Sequence, residues 1–193
     1  MKKLIPFLIS LLLVGTVIAQ SNIPVYPIQT ALVNKLTATW CGPCGTWGWD
    51  LFDNVINQKG DKAVFMGTYG DNGDASDFDN NTAVNFKAQF APSAGWPAFC
   101  LNGLNATVYS SGGGIYTGQT EQALIDGIDS TSASACLVNV GYTESISGNT
   151  LTVETNTKFF QDASGQYFLG VYAVEDGAMF SQNGQSGVVA HHD

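Results

Sequence analysis

The stretch that decides the fold runs from Thr37 to Asp50 and reads TATWCGPCGTWGWD. It contains two cysteines, Cys41 and Cys44, which are separated by a Gly-Pro pair and followed by two tryptophans. Cysteines at this spacing serve as a redox centre, as a structural disulfide or as one half of a zinc site. The three interpretations differ in what the rest of the chain has to supply.

A zinc site needs more ligands than the chain offers near this motif. Structural zinc usually takes four ligands, which often come from two cysteine pairs. The remaining cysteines, Cys100 and Cys136, are isolated, and the two histidines, His191 and His192, lie near the C-terminal end. We therefore expect no metal at the motif, whereas a redox centre and a structural disulfide both remain open.

An acidic stretch at 70–81 is the second place where a metal could bind. It reads GDNGDASDFDNN, and its carboxylates are Asp71, Asp74, Asp77 and Asp79. Calcium binds clustered carboxylates, but an EF-hand loop requires a glycine at its sixth position and a glutamate at its twelfth. The spacing here does not match, so we expect an exposed acidic loop without a metal.

The N-terminal segment has the pattern of a secretory signal. Residues 1–19 read MKKLIPFLISLLLVGTVIA, with two lysines, an apolar run and small residues at the end. The apolar run is shorter than the roughly 20 residues that a spanning helix favours. We expect a cleaved signal peptide, with an uncleaved anchor as the alternative, and no spanning segment in the mature chain. The protein would then be periplasmic, outer-membrane associated or extracellular.

The charge of the chain excludes one class of partner. The formal net charge is −9, and the sequence holds only 7 Lys and Arg residues. Binding to nucleic acid requires a basic face that neutralises phosphates. We therefore expect no nucleic-acid partner.

Hydrophobic periodicity predicts the order β-α-β-α-β-β-α over roughly 28–134. In this prediction Thr120 caps the last helix. The predicted strands lie at 31–38, 63–69, 97–103 and 106–110, and the predicted helices lie at 44–59, 81–90 and 120–132.

The pattern changes to short strands after Ala135. Strands are predicted at 136–143, 150–159 and 167–176, with turn residues between them. Such spacing is typical of an all-β module. We therefore expect three regions, namely a signal peptide (1–19), an α/β domain (20–134) and a β-rich module (135–193). The chain stops on apolar residues, so we expect this sandwich-like module to be partial and the sequence to be a fragment.

Two separated motifs carry a family resemblance. TWCGPC ahead of a helix, and AGWPAFCLNG after a second helix, resemble the two signatures of the thioredoxin fold. The resemblance implies a mixed central sheet flanked by helices, with Pro97 in cis, preceded by Trp96 and facing the cysteines. The signal, the acidic insertion, the β-rich tail and the tail sequences GVYAVEDG and SQNG resemble the outer-membrane-protein-28-related group of secreted thioredoxin-like proteins.

The resemblance implies a thiol–disulfide oxidoreductase that acts on protein disulfides. A cysteine at a helix N-terminus is favoured as thiolate, so we expect Cys41 to attack, with a pKa below about 8.5. Cys44 would resolve the mixed disulfide, while Trp40, Trp96 and Pro97 would contact the substrate. No cofactor is expected beyond the Cys41–Cys44 disulfide. The expected partners are thiols and disulfides of cell-envelope proteins and a redox partner.

One departure from the family pattern keeps a second function open. Thioredoxins carry a buried acid six residues before the first cysteine, and this position is Lys35 here. Because a buried lysine is costly, we expect either a shifted register with Asn34 inward or a Lys35 that reaches the surface and modulates the site. Gly45 likewise stands where a basic residue often follows the second cysteine. The alternative function is a cell-surface binding or adhesion module with a structural disulfide.

The two remaining cysteines are candidates for a structural bridge. An even cysteine count in an exported protein favours pairing. A bridge between Cys100 and Cys136 would close a loop of roughly 35 residues and stabilise the fold by about 3–4 kcal/mol. Two buried free thiols are the alternative.

Overall fold

The computed structural model of the chain describes residues 22–70, 81–186 and 188–192. The predicted signal peptide and nearly all of the acidic stretch lie outside the described residues. The described chain divides into two units, which we treat separately. The first holds Pro27–Asn139 together with the chain from Phe159 onward, and the second holds Val140–Lys158 with the described residues up to Tyr26. The predicted boundary near 134 stays a prediction.

The first unit is built around a mixed four-stranded sheet in the spatial order β2-β1-β3-β4. β1 pairs in parallel with β2 and antiparallel with β3, which in turn pairs antiparallel with β4. The parallel pair needs a crossover connection, which the first helix supplies. The four strands are β1 (Ala31–Thr37), β2 (Ala63–Tyr69), β3 (Ala98–Leu101) and β4 (Leu104–Asn105).

Three helical segments accompany the sheet. A π-helical turn at Cys44–Gly48 continues directly as α1 (Trp49–Lys59), and α2 (Asn81–Phe90) follows β2. These bounds confirm the helices predicted at 44–59 and 81–90. The third helix, α3 (Thr117–Ala133), begins earlier than predicted.

The prediction that Thr120 caps α3 is wrong, because the helix starts one turn before it and Tyr116 is the flanking residue. Thr120 is completely buried, and its hydroxyl oxygen accepts the backbone N–H of Val108 at 3.0 Å. This threonine therefore ties α3 to the chain that follows β4.

Helices cover both faces of the sheet. One buried cluster joins Val33 and Phe99 of the sheet to Phe52 of α1 and to Leu124 and Ile128 of α3. A second cluster gathers apolar side chains on the α2 side, namely Leu36, Ala91, Ala94, Ala98 and Cys100, with Phe86 and Phe90 packed against them. β1 is buried almost throughout because it lies in the middle of this arrangement. The predicted α/β fold class, a thioredoxin-like mixed sheet flanked by helices, is confirmed.

Small two-stranded sheets follow α3, in agreement with the predicted β-rich tail. β5 (Val138–Ser147) pairs with β6 (Thr150–Phe159). In the second unit, the side-chain amide of Asn156 donates to the backbone oxygen of Ile23 at 2.8 Å. In the first unit, β7 (Asp176–Ser181) forms an antiparallel hairpin with β8 (Val188–His192).

The strand predicted at 167–176 is wrong, since residues 161–175 form no regular element. The apolar residues of this segment are exposed, Phe168 at 91%. Val171 and Val174 have the right composition for a strand, but a strand requires a hydrogen-bonding neighbour. Among the described residues none pairs with this segment. The described residues also contain no helix with the length and apolarity required to cross a membrane.

A charged cluster connects α1 to α3 on the surface. Lys59 Nζ donates to Asp129 Oδ2 at 2.6 Å, and Lys62 Nζ donates to Asp129 Oδ1 at 2.9 Å. The hydrogen bonds from the two lysines lower the pKa of Asp129. The same contact raises the pKa of Lys62. Because the carboxylate is 44% exposed, water and salt screen these pairs.

We expect Asp129→Asn to lower the free energy of unfolding modestly at neutral pH. A carboxyl whose pKa is lower in the folded state stabilises the protein above its unfolded pKa, and that stabilisation disappears as the pH falls through the folded pKa. The difference in the free energy of unfolding between wild type and variant, measured by urea denaturation, should therefore become smaller as the pH is lowered. Asp126→Asn, on the same helix, is the control. A difference that is constant with pH would contradict this account.

Candidate functional site

The two cysteines of the CGPC motif form a disulfide at the beginning of a helix. The S–S distance is 2.04 Å and the Cα atoms are 5.2 Å apart. The chain leaves β1 through a tight turn in which the N–H of Cys41 donates to the oxygen of Ala38 at 3.1 Å. Helical structure starts at the next residue, Gly42. The prediction that Cys41 lies at a helix N-terminus is confirmed.

The helix start presents its free N–H groups to the first sulfur. The N–H of Cys44 points at Cys41 Sγ at a distance of 3.1 Å. Unpaired N–H groups and the positive end of the helix dipole stabilise an anion at this place. Cys41 is 3% exposed and Cys44 is completely buried. Of the two sulfurs, Cys41 is therefore the one placed for anion stabilisation, and it is the one that is not completely buried.

Three further residues singled out from the sequence gather around the disulfide. The Trp96–Pro97 peptide bond is cis, as predicted. Trp96 packs against the cluster that contains both cysteines, and the Pro97 ring lies against Gly48 one turn further along the helix. Trp40 meets Trp96 edge-on, with ring centroids 6.2 Å apart, and is 41% exposed. The two tryptophans thus form an accessible aromatic surface beside Cys41.

An open cleft of about 700 Å³ begins next to the CGPC motif. Aromatic and small side chains form much of its wall, and none of the described residues that line it is charged. Its wall includes Pro43, Trp47, Gly95, Trp96, Tyr109 and Ile115. The cleft is therefore suited to an uncharged, partly apolar chain segment.

The structure overturns both alternatives expected for Lys35. The side chain does not reach the surface, because it is completely buried, and the strand is not shifted to replace it by Asn34. Lys35 Nζ lies 3.0 Å from the centroid of the Trp49 ring, a cation–π contact. Asn34 is also buried, and its Oδ1 accepts the hydroxyl of Thr68 at 2.7 Å. Aromatic packing thus accommodates a lysine at the position where thioredoxins carry a buried acid.

The turn of the β7–β8 hairpin forms a further part of the site. We call residues 182–186 the glutamine loop. Gln182 is 2% exposed, and its Nε2 lies 3.1 Å from each of the backbone oxygens of Ala38, Thr39 and Cys41, which share its two N–H groups. Sequence reasoning missed this contact, which spans 141 residues to Cys41. SQNG had entered the sequence analysis only as part of a family resemblance, and it carried no signal for its partner.

The predicted Cys100–Cys136 bridge is not formed, and both cysteines are buried free thiols. Cys100 belongs to the cluster on the α2 face of the sheet. Cys136 follows α3, which packs on the opposite face, where Leu101 meets Gly127. Burial raises the pKa of Cys100 to about 11.

We expect the native protein to show almost no thiol reactive towards a disulfide reagent near neutral pH, because both free cysteines are buried. After unfolding in guanidinium without reductant, two thiols per chain should react, since Cys41 and Cys44 stay oxidised. A colorimetric thiol count measures both states. In the unfolded state, Cys100→Ser should show one reactive thiol fewer than wild type. A count of zero in unfolded wild type would indicate that Cys100 and Cys136 form a disulfide.

Among the described residues, no cluster of three or more His, Cys, Asp or Glu side chains is placed to hold a metal ion. The acidic stretch predicted to be metal-free falls at 71–80, outside the described residues, so that expectation stays a prediction.

Comparison with known proteins identifies a structural neighbour. The fold is similar to that of HBP35 of Porphyromonas gingivalis, with a TM-score of 0.61 and 13% sequence identity. The match covers 88% of this chain and 56% of HBP35, so the chain spans little more than half the length of that neighbour. No protein-family model and no curated protein sequence matches the chain. At this identity the likeness shows a related fold and nothing about activity.

Proposed function

We propose that the chain is a thiol–disulfide oxidoreductase that acts on protein disulfides through Cys41 and Cys44. The observation that carries the proposal is the N–H of Cys44 aimed at Cys41 Sγ, at 3.1 Å, where the helix begins. A purely structural disulfide has no need of a group that stabilises a thiolate. Disulfide exchange does, because the thiolate is the attacking species.

The reaction proceeds in two exchanges. The Cys41 thiolate attacks one sulfur of a substrate disulfide, forms a mixed disulfide and releases the other substrate sulfur as a thiolate. Cys44 then loses its proton and attacks Cys41 Sγ, which releases the second substrate sulfur and forms the Cys41–Cys44 disulfide. Two electrons pass from the dithiol to the substrate, and the same steps in reverse oxidise a substrate dithiol.

Substrate contact is assigned to the aromatic surface and the cleft beside the disulfide. Trp40 and Trp96 lie next to Cys41, and Pro97 lies on the same side of the helix start. An unfolded or extended protein segment offers apolar side chains that could stack on the two tryptophans. The uncharged cleft wall supports substrates whose segment near the cysteine is itself uncharged.

The cellular setting follows from the sequence patterns. The signal-like residues 1–19 support export to the periplasm, the outer membrane or the medium. There the partners would be thiols and disulfides of envelope proteins, together with a protein that resets the dithiol. The disulfide itself carries the electrons, so the proposal includes no further cofactor. Membership of the outer-membrane-protein-28-related group is part of the same proposal.

A second candidate is a binding or adhesion module that keeps a structural disulfide on a thioredoxin-like scaffold. Three observations favour it. Cys41 is only 3% exposed, and the chain has Lys35 where thioredoxins place an acid. The exposed apolar segment around Phe168 also resembles a contact surface more than part of a catalytic site.

The test that separates the two functions is covalent trapping. Cys44→Ser leaves Cys41 able to attack but removes the resolving thiol, so it should accumulate mixed disulfides with proteins of a cell-envelope extract. Cys41→Ser should trap few or none, because Cys44 is completely buried. Non-reducing electrophoresis and mass spectrometry count the adducts. Cys100→Ser is the matched control and should leave trapping by the Cys44→Ser protein unchanged.

Equal trapping by both single variants would favour the binding module. The same conclusion would follow if the wild-type protein, supplied with reductant, did not reduce insulin disulfides.

Lys35 leads to a prediction about the reduction potential. A buried positive charge near the helix start favours the thiolate and thus the reduced form, which makes the disulfide more oxidising. We expect a potential above thioredoxin's value of about −270 mV. Lys35→Met, which keeps the volume and removes the charge, should lower the potential by on the order of 30 mV, or about tenfold in the equilibrium constant.

Equilibration with glutathione measures the potential of each variant. Lys62→Met makes the same change at an exposed position and should leave the potential unchanged. Equal potentials for wild type and Lys35→Met would exclude Lys35 as a modulator of the site.

A further inference from the structure

The side-chain amide of Gln182 is buried beside the CGPC motif. It is 2% exposed and comes from a hairpin turn far along the chain. Its Nε2 reaches three backbone oxygens that precede the helix, while its Oε1 is buried without a hydrogen-bond partner among the described residues. An unsatisfied buried acceptor costs free energy, so an apolar residue of equal size would suit a merely space-filling role better.

Neighbouring residues of the glutamine loop extend the same contact. The N–H of Asn183 donates to the oxygen of Thr39 at 2.8 Å, and its side-chain amide donates to the oxygen of Trp40 at 2.9 Å. Gln185 Nε2 donates to the oxygen of Gly45 at 2.8 Å. Every bond from this loop to the site ends on a backbone oxygen of the segment 38–45. The loop therefore fixes the backbone around Cys41 independently of the side chains there.

Two glycines make this close approach possible. A Cβ at Gly45 would collide with the backbone oxygen of Asn183, so no side chain fits after the second cysteine. Gly184 has φ +90°, a conformation that favours glycine, and a Cβ there would lie 3.0 Å from the backbone nitrogen of Thr46. The loop and the helix start are thus built to fit each other. This fit gives a physical reason for glycine at position 45.

We propose that Gln182 is a positioning residue for disulfide exchange, which holds the Ala38–Cys41 turn so that Cys41 Sγ stays on the N–H of Cys44. The inference rests on the proposed function and names a residue that acts on the attacking sulfur through the backbone. When the turn loosens, Cys41 moves away from the N–H groups of the helix start. The thiolate then loses stabilisation, and its formation requires a higher pH.

Replacing Gln182 by another uncharged residue changes no charge. A shift in the alkylation profile of Cys41 would therefore report a change in its position rather than a lost charge. The glutamine loop, the 38–48 segment and the 91–97 segment contain no titratable side chain other than the two cysteines. Lys35 on β1 and Lys87 on α2 are charged groups that the packed elements place near this segment, with Lys35 Cε against Gly48. Lys87 Nζ lies 5.6 Å from the Trp96 ring centroid.

The experiment follows the rate at which iodoacetamide alkylates Cys41 in the reduced protein across pH, with the modified residue identified by mass spectrometry. Gln182→Met keeps the side-chain volume and removes the amide. We expect the midpoint of its alkylation profile to rise by roughly half a pH unit or more relative to wild type. Asn183→Ala, at an exposed position, should raise it by less.

Gln161→Met is the matched control. Gln161 also donates its amide to two backbone oxygens in the same unit, those of Ala135 and Cys136, but these lie away from the disulfide. Its profile should coincide with that of wild type. If Gln182→Met fails to fold by circular dichroism, Asn183→Ala decides the question by itself.

Unchanged midpoints in the folded Gln182→Met and Asn183→Ala proteins would overturn the inference, as would an equal shift in Gln161→Met. The measurement needs no protein substrate. A Cys44→Ser protein that traps no partner would therefore count against the proposed function, while the midpoints would still decide whether Gln182 positions Cys41.

Discussion

The contact on which the site depends is the hydrogen bond from the N–H of Cys44 to Cys41 Sγ. It exists because β1 ends in a tight turn at Ala38 and a helix begins directly after Cys41. β1 is the central strand, so both helix-covered faces of the sheet fix its end. The sheet, the turn and the helix start thus form one support for a single sulfur atom.

The parts of this support that depend on local sequence were predictable. Strand β2, the helix at 44–59 and helix α2 followed from hydrophobic periodicity. The resemblance to the thioredoxin signatures predicted that the motif around Pro97 lies beside the motif around Cys41. The failures involved partners distant in the chain. Residues 167–175 have strand composition without a pairing neighbour among the described residues, and Gln182 meets carbonyl groups that no side-chain pattern encodes.

Lys35 illustrates how packing can override an expectation drawn from the cost of burying a charge. A lysine inside a central strand was expected to escape to the surface, because desolvation of its ammonium group is unfavourable. The structure instead surrounds it with aromatic rings, those of Trp49 and Phe52, whose π faces attract a cation. Two tryptophans, Trp47 and Trp49, follow the motif. One of them, Trp49, provides the environment that allows a buried cation near the Cys41–Cys44 disulfide.

The glutamine loop also determines when the site becomes complete. Gln182 and Cys41 are 141 residues apart, so during synthesis the CGPC motif emerges long before the turn that holds it. Domains fold from the N-terminus as they are made, whereas contacts between distant residues form late. A newly made chain therefore passes through a stage in which Gln182 does not yet contact the turn that leads to Cys41. Oxidation at that stage acts on a looser dithiol than the one in the finished protein.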